Sequence, residues 1–250
     1  MPPICLHLGI AQRAISGLQH WIVNENQGSY YLGSTVPDIR SFIDASREET
    51  HFLSLECEDG ASGVKAMFKA HPELNHDANL NPATQAFVAG YLSHLVTDEA
   101  WIYQIYRPFF GKLSPLKGEP VANLMDRILQ FELDRRERLA TGNMAAIRTY
   151  LDDATSGITV SFIDGPSLAR WREFVSGVMT RKASWEGFRY FAERNLSWMQ
   201  QIPAEEREVF FTSFNTRVNQ VVEMVSEEKL LQFREQSITD SVRVAREYLA

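Results

Sequence analysis

The stretch "AFVAGYLSHLVTDEAW", residues 86–101, decides how the rest of the chain is read. Its residues repeat with helical spacing, and at about 3.6 residues per turn His94 and Asp98, four apart, fall on one face together with Phe87, Tyr91, Trp101 and Ile105. A helix apolar almost all round belongs in a protein interior. A carboxylate carried into that interior needs a cation, a hydrogen-bonding partner or water, because leaving it unpaired costs several kcal/mol. The pair therefore poses a chemical question as well as a packing one.

Working outward, Asn81 is placed to cap the helix and Pro82 to occupy its first turn, while Pro108 is expected to end it. Upstream, "HLGIAQRAISGLQHWI" (7–22) puts His7, Ala11, Ala14 and Leu18 on one stripe of an amphipathic helix. "GSTVPDIR" then breaks the pattern at Gly33 and Pro37, and a shorter helix is expected over residues 41–52. Residues 56–81, rich in Gly, Asn, Asp and Pro, read as a surface loop with a helical turn or two around "VKAMFKA". Downstream, "PVANLMDRILQFELDRRERLA", "NMAAIRTYL", "PSLARWREFVSGVMTRK", "SWEGFRYFAERNLSWMQ" and the tail from Pro203 to Ala250 all carry helical periodicity, and only "GITVSFI" (157–163) reads as a strand. One isolated strand makes no sheet, so the expected class is all-α: a single-domain helical bundle over residues 1–250 with its polar site among the N-terminal helices.

The 250 residues, 44% hydrophobic, suffice for a large core. A net charge of -7, with Lys and Arg dispersed among Asp and Glu, gives no footprint for nucleic acid. No stretch reaches the apolar length of a membrane span, and the amino terminus lacks the basic, then apolar, order of a secretion signal. Cys5 and Cys57 have neither disulfide-framework nor metal-site spacing and read as reduced thiols. A cytoplasmic protein is expected.

Six histidines occur, at positions 7, 20, 51, 71, 76 and 94, and none follows His94. His7, Asp38, His51, His94 and Asp98 each lie on an inward-facing helix stripe or beside a punctuated turn. Three imidazoles and two carboxylates are a ligand set that zinc and neighbouring divalent metals accept. His20 reads as a hydrogen-bonded histidine of ordinary kind, and His71 and His76 as solvated loop residues.

Four ordered motifs then point further. "MPPICLHLGIAQRA" places a histidine at the start of the first helix, "GSTVPDI" (33–39) is a G-x-x-x-P-D element, "THF" (50–52) follows, and "GYLSHLVTD" (90–98) is G-Y-x-x-H-x-x-x-D. In this order they resemble the zinc-dependent phospholipase C family, all-helical hydrolases, and in particular its short intracellular branch. The likeness covers roughly the first 110 residues. The resemblance implies that Asp38, His51, His94 and Asp98 hold one zinc, that His7 holds a second, and that Asp98 is shared between them. It also implies a hydrolase acting on a phosphoric ester, with a small phosphorylated molecule or a phospholipid as substrate. Asp38, at a turn where a carboxylate can ligate and face solvent, is the expected proton acceptor; Arg107 could meet a phosphate but reads first as a solvated arginine before Pro108. Secreted members hold a third zinc through histidines downstream of the shared aspartate; here that site is absent or rebuilt from oxygens such as those of Glu99, Gln104 or Glu119. A non-catalytic helical protein stapled by metal, or another metal-assisted reaction on a phosphorylated metabolite, are the alternatives.

Overall fold

Gly33 and Gly90 set the geometry on which the site depends. The computed structural model describes residues 2–54, 61–75, 78–140, 143–152 and 154–250. Its α-helices are α1 (Ile4–Leu18), α2 (Trp21–Glu25), α3 (Gln27–Gly33), α4 (Arg40–Ile43), α5 (Arg47–His51), α6 (Gly63–Ala70), α7 (Pro82–Trp101), α8 (Arg107–Phe109), α9 (Pro120–Leu139), α10 (Asn143–Leu151), α11 (Gly165–Thr180), α12 (Trp185–Asn195), α13 (Ala204–Thr212), α14 (Phe214–Val225) and α15 (Glu227–Leu249). Short 3-10 turns occupy Val36–Ile39, Pro72–Leu74 and Ser197–Gln201, and no strand occurs among the described residues.

Helix α7 is the central element, buried from Ala86 to Asp98, with α3 and α15 against it. Where α3 crosses α7, a methyl group on Gly33 would collide with the Phe87 carbonyl oxygen, and one on Gly90 with the Tyr30 carbonyl oxygen. Glycine is required there by close approach of two backbones. On the other side, Ser93 Oγ donates to Ser241 Oγ at 2.8 Å, so small side chains again let α15 lie close. Buried Glu137 ties three helices together, meeting Arg13 of α1 at 3.2 Å and Arg234 of α15 at 2.7 Å. One apolar cluster surrounds α3, α7, α10 and α11, and a second is built from α9, α12, α13 and α14; residues of α1, α7 and α15 enter both.

Several expectations are corrected. The helix expected over 7–22 is two helices, because Gln19 adopts a left-handed conformation (φ 49°) and ends α1. The 41–52 helix is likewise α4 and α5, separated by left-handed Asp44 (φ 52°). The helical turns expected around "VKAMFKA" are present as the eight-residue α6, capped by Ser62. Pro108 does not end the helical run: a π-helical turn at Ile102–Tyr106 carries the chain into α8, with Pro108 in its first turn, where a missing N–H is tolerated. The segment 157–163 is not a strand. Its polar groups dock on the start of α7, the Gly157 carbonyl accepting from Asn81 Nδ2 at 2.8 Å and Thr159 N–H donating to Thr84 Oγ1 at 3.0 Å, and Phe162 stacks among Phe52, His71 and Tyr91. Its apolar alternation serves packing on a helix instead of a ladder.

Gly90→Ala is expected to cost about 3 kcal/mol, since the clash is with backbone that no rotamer change relieves. In a chain of this size that is a fall of roughly 10 °C in melting temperature. Gly165→Ala, with open space around the new methyl group, is the control and should melt as wild type. Equal melting of both variants would show that the α3–α7 crossing is more plastic than its geometry indicates.

Candidate metal centre

The five residues singled out in the sequence converge on one point. The chain reaches Asp38 through the 3-10 turn after α3, held at its start by Thr35, whose Oγ1 donates to the Leu32 carbonyl and accepts from Trp171 Nε1 at 3.1 Å. His51 is the last residue of α5, a helix of five residues that forms because Ser46 and Glu49 make a reciprocal capping box. Phe52 ends it in the left-handed region (φ 55°), and Tyr91 OH donates to the Thr50 carbonyl, fixing this helix end to α7. His7 comes from the first turns of α1, and His94 and Asp98 from the middle of α7.

At the centre, His51 Nε2 lies 3.3 Å from His94 Nε2, 3.4 Å from Asp38 Oδ1 and 3.3 Å from Asp98 Oδ2, and His94 Nε2 is 3.7 Å from Asp98 Oδ2. Ligand atoms bound at about 2.0–2.1 Å around a zinc stand roughly 3.3 Å apart, and His94 Nε2, Asp38 Oδ1 and Asp98 Oδ2 each stand at about that distance from His51 Nε2. His7 stacks on His94 with ring centroids 3.8 Å apart, its Nε2 being 3.5 Å from Asp98 Oδ1. Two donor triads result, His7/His94/Asp98 and Asp38/His51/His94, with donor atoms within 4.8 Å of one another in each.

The hydrogen bonds behind these atoms test the fit. His94 Nδ1 lies 2.9 Å from the Ser34 carbonyl oxygen, which can only accept, so the proton is on Nδ1. His51 Nδ1 is hydrogen-bonded to Thr50 Oγ1 at 2.9 Å. The His94 tautomer turns its Nε2 lone pair toward His51 Nε2 across 3.3 Å, an arrangement that suits a cation or proton between them. His7 Nε2 and Asp98 Oδ1 are also buried without hydrogen-bonding partners among the described residues. The outer bonds are of the kind that orient metal-ligating imidazoles. Buried His7, His51, His94 and Asp98, with Asp38, could thus hold a metal ion.

The electrostatics agree. Burial pushes the His7 imidazole down to about 4 and also lowers His51, so both are neutral and available as ligands. Burial works against charge on His94 too, but Asp98 and Asp38 reverse the balance and its pKa is raised. Burial opposes the Asp98 carboxylate, yet His94, His7 and Arg47 hold it well below the usual range, and His51 does the same for Asp38.

Arg47 was not singled out in the sequence. Its Nη2 donates to Asp98 Oδ2 at 2.9 Å. The signal was available, because Arg47 and His51 are four residues apart and share a face of α5. Of the remaining histidines, His71 is not solvated as expected: its Nδ1 meets Glu73 at 3.2 Å and its ring packs 4.5 Å from Phe162. His20 precedes α2 and its ring lies beside Trp21, while His76 and Cys57 fall outside the described residues. Cys5 is buried, and burial raises its thiol pKa. Glu99, considered for a further site, accepts from Gly63 N–H at 2.6 Å and is pushed by burial up to about 7. Arg107 lies over the Tyr103 ring at 4.8 Å. No described helix is long and apolar enough to cross a membrane. Comparison with models of known families, with curated proteins and with solved structures gives no match for the chain.

Proposed function

We propose that the chain is a metal-dependent hydrolase of phosphoric esters, of the zinc-dependent phospholipase C type, acting on a small phosphorylated molecule or a phospholipid in the cytoplasm. The observation that carries this reading is a cluster of donor atoms gathered around His51 Nε2 and reached from solvent at Asp38. Side chains of His7, His51, His94 and Asp98 are at most 3% exposed, whereas that of Asp38 is 27% exposed. Zinc is the ion favoured by three imidazoles with two carboxylates at these spacings. When bound, such an ion supplies Lewis acidity to a phosphoryl oxygen and acidifies water to a pKa near about 7.

The chain's own residues do the rest. Asp38 contributes one oxygen to the ligand set and reaches solvent, so its carboxylate can take a proton from water entering the mouth of the site. The Ser34 carbonyl keeps the His94 imidazole in the tautomer that leaves Nε2 free, and Thr50 holds the His51 ring through its Nδ1. Burial excludes bulk water behind the donors, which strengthens every charge interaction within.

The test is turnover of a chromogenic phosphodiester and phosphomonoester by zinc-loaded protein. Hydrolysis is expected with zinc and lost in chelator, and Asp38→Asn is expected to lower the rate at least about 100-fold. Turnover no faster than that of metal-free protein would refute the reading. The burial of four of five donors favours a second one, in which the ion only staples α1 to α7 and α5; zinc bound without turnover is its signature.

A further inference from the structure

We infer that Arg47 supplies the second positive charge of this centre, in place of a second metal ion, and binds the phosphoryl group of the substrate. The inference rests on the phosphoric ester reading above and extends it to a residue that reading does not use.

Three observations carry it. His94 belongs to both donor triads but has one nitrogen to give, since Nδ1 is held by the Ser34 carbonyl. Two ions cannot both use it, and among the described residues an ion beside His7 would be left with that imidazole and Asp98 Oδ1, too few protein ligands for tight binding. Second, the carboxylate expected to bridge two cations already has one: the guanidinium of Arg47 sits on Asp98 Oδ2 at 2.9 Å, the oxygen that also faces His51 and His94. With a single divalent ion, two carboxylates, neutral imidazoles and this guanidinium leave one positive charge in excess, which one phosphodiester anion neutralises. A second divalent ion would leave three.

Third, Arg47 has capacity to spare and a way out. Its Nε is buried and has no hydrogen-bonding partner among the described residues. Its side chain is 12% exposed, and with Asp38 at 27% it is one of the two members of the cluster that open to solvent, the other four being at most 3% exposed. Asp38 touches His51 Nε2 directly and Arg47 reaches it through Asp98 Oδ2, so the two open members flank the same donor atoms. A planar fork of donors, one arm anchored on a carboxylate and the side chain opening to solvent, is suited to donate to a phosphate oxygen.

The experiment combines zinc counting by elemental mass spectrometry with calorimetric titration of inorganic phosphate into zinc-loaded wild type, Arg47→Gln and Arg47→Lys. One zinc per chain is expected in all three. Phosphate affinity should fall about 10- to 100-fold in Arg47→Gln and less in Arg47→Lys, which keeps the charge without the fork. Two zinc ions in wild type, phosphate affinity within twofold of wild type in Arg47→Gln, or loss of zinc from that variant would each overturn the inference, the last by making Arg47 a prop for Asp98. If Arg47→Gln does not fold, Arg47→Lys decides, and unchanged phosphate affinity there overturns it. Phosphate bound through Arg47 without ester turnover refutes the hydrolase reading alone; ester turnover undiminished in Arg47→Gln refutes the role of Arg47 alone.

Discussion

Asp98→Asn is expected to empty the metal centre and to destabilise the protein even before metal is considered. Asp98 is the one residue that His7, Arg47, His51 and His94 all face. An amide keeps its shape but offers one acceptor oxygen and no charge, so the guanidinium and the ion lose the same counter-charge together. In the metal-free protein the substitution leaves a largely buried Arg47 cation unpaired, and breaking such a pair costs about 3–5 kcal/mol. His7→Ala makes the informative contrast. It leaves the Asp38, His51, His94 and Asp98 atoms at their 3.3–3.7 Å spacings, so zinc should stay bound, with affinity lowered only by the lost packing on His94. His51→Ala and His94→Ala should lose the ion, and His71→Ala, tied to Glu73 and Phe162, should keep it. Elemental analysis and melting of the purified variants decide the matter. Wild-type zinc content in Asp98→Asn would show that the carboxylate is not the hub of this site.

What the sequence revealed here follows from how local its signals are. The i, i+4 spacing of His94 and Asp98 on an all-apolar helix showed both the burial and the polar cluster, because helical periodicity alone carries that information. His7, Asp38 and His51 could be grouped with them only through the order of four motifs, since the α3–α7 crossing that brings them together is fixed by contacts distant in sequence. The role of Gly33 and Gly90 in that crossing was invisible, as a glycine inside a helix gives no hint of which backbone approaches it. Arg47 was missed because its link to the site is the contact with Asp98, 51 residues away, which the four-residue spacing to His51 hints at but does not supply. The breaks at Gln19 and Asp44 are non-glycine residues at positive φ, which propensity does not anticipate. "GITVSFI" had the composition of a strand but no partner strand, and its partners proved to be side chains at the start of α7. The second half of the chain was legible as helices and nothing more, because its contribution, α15 against α7 and α1, is long-range packing.

Removing the metal should lower the melting temperature by an amount that depends on pH. A ligand present at about 1,000 times its dissociation constant adds about 4 kcal/mol to the folded state, which for a chain of this length is roughly 10 °C. The sign of the pH effect follows from His94. Burial disfavours its imidazolium, but Asp98 and Asp38 outweigh burial and raise its pKa above the ordinary 6.5, so in the ion-free protein a proton there takes over part of the cation's task between the facing Nε2 atoms. A raised folded-state pKa contributes stability that is fully present below the unfolded value and is lost as pH rises through the folded value. The ion-free protein therefore weakens on the alkaline side, where the metal-loaded protein, holding its cation, does not. In acid the metal must displace that proton and its affinity falls. His7, lowered to about 4, and His51, also lowered, take up protons only in stronger acid; both forms lose stability from His7 as pH falls from 6.5 toward 4, so this does not separate them. The gap between metal-loaded and chelator-stripped melting curves should thus be widest near pH 8 and close toward about pH 5. Calorimetric melting of both forms across that range is the check. A gap that does not change with pH would mean that proton and metal do not compete for the space between His51 and His94, and a gap of zero at pH 8 would mean that no ion belongs there.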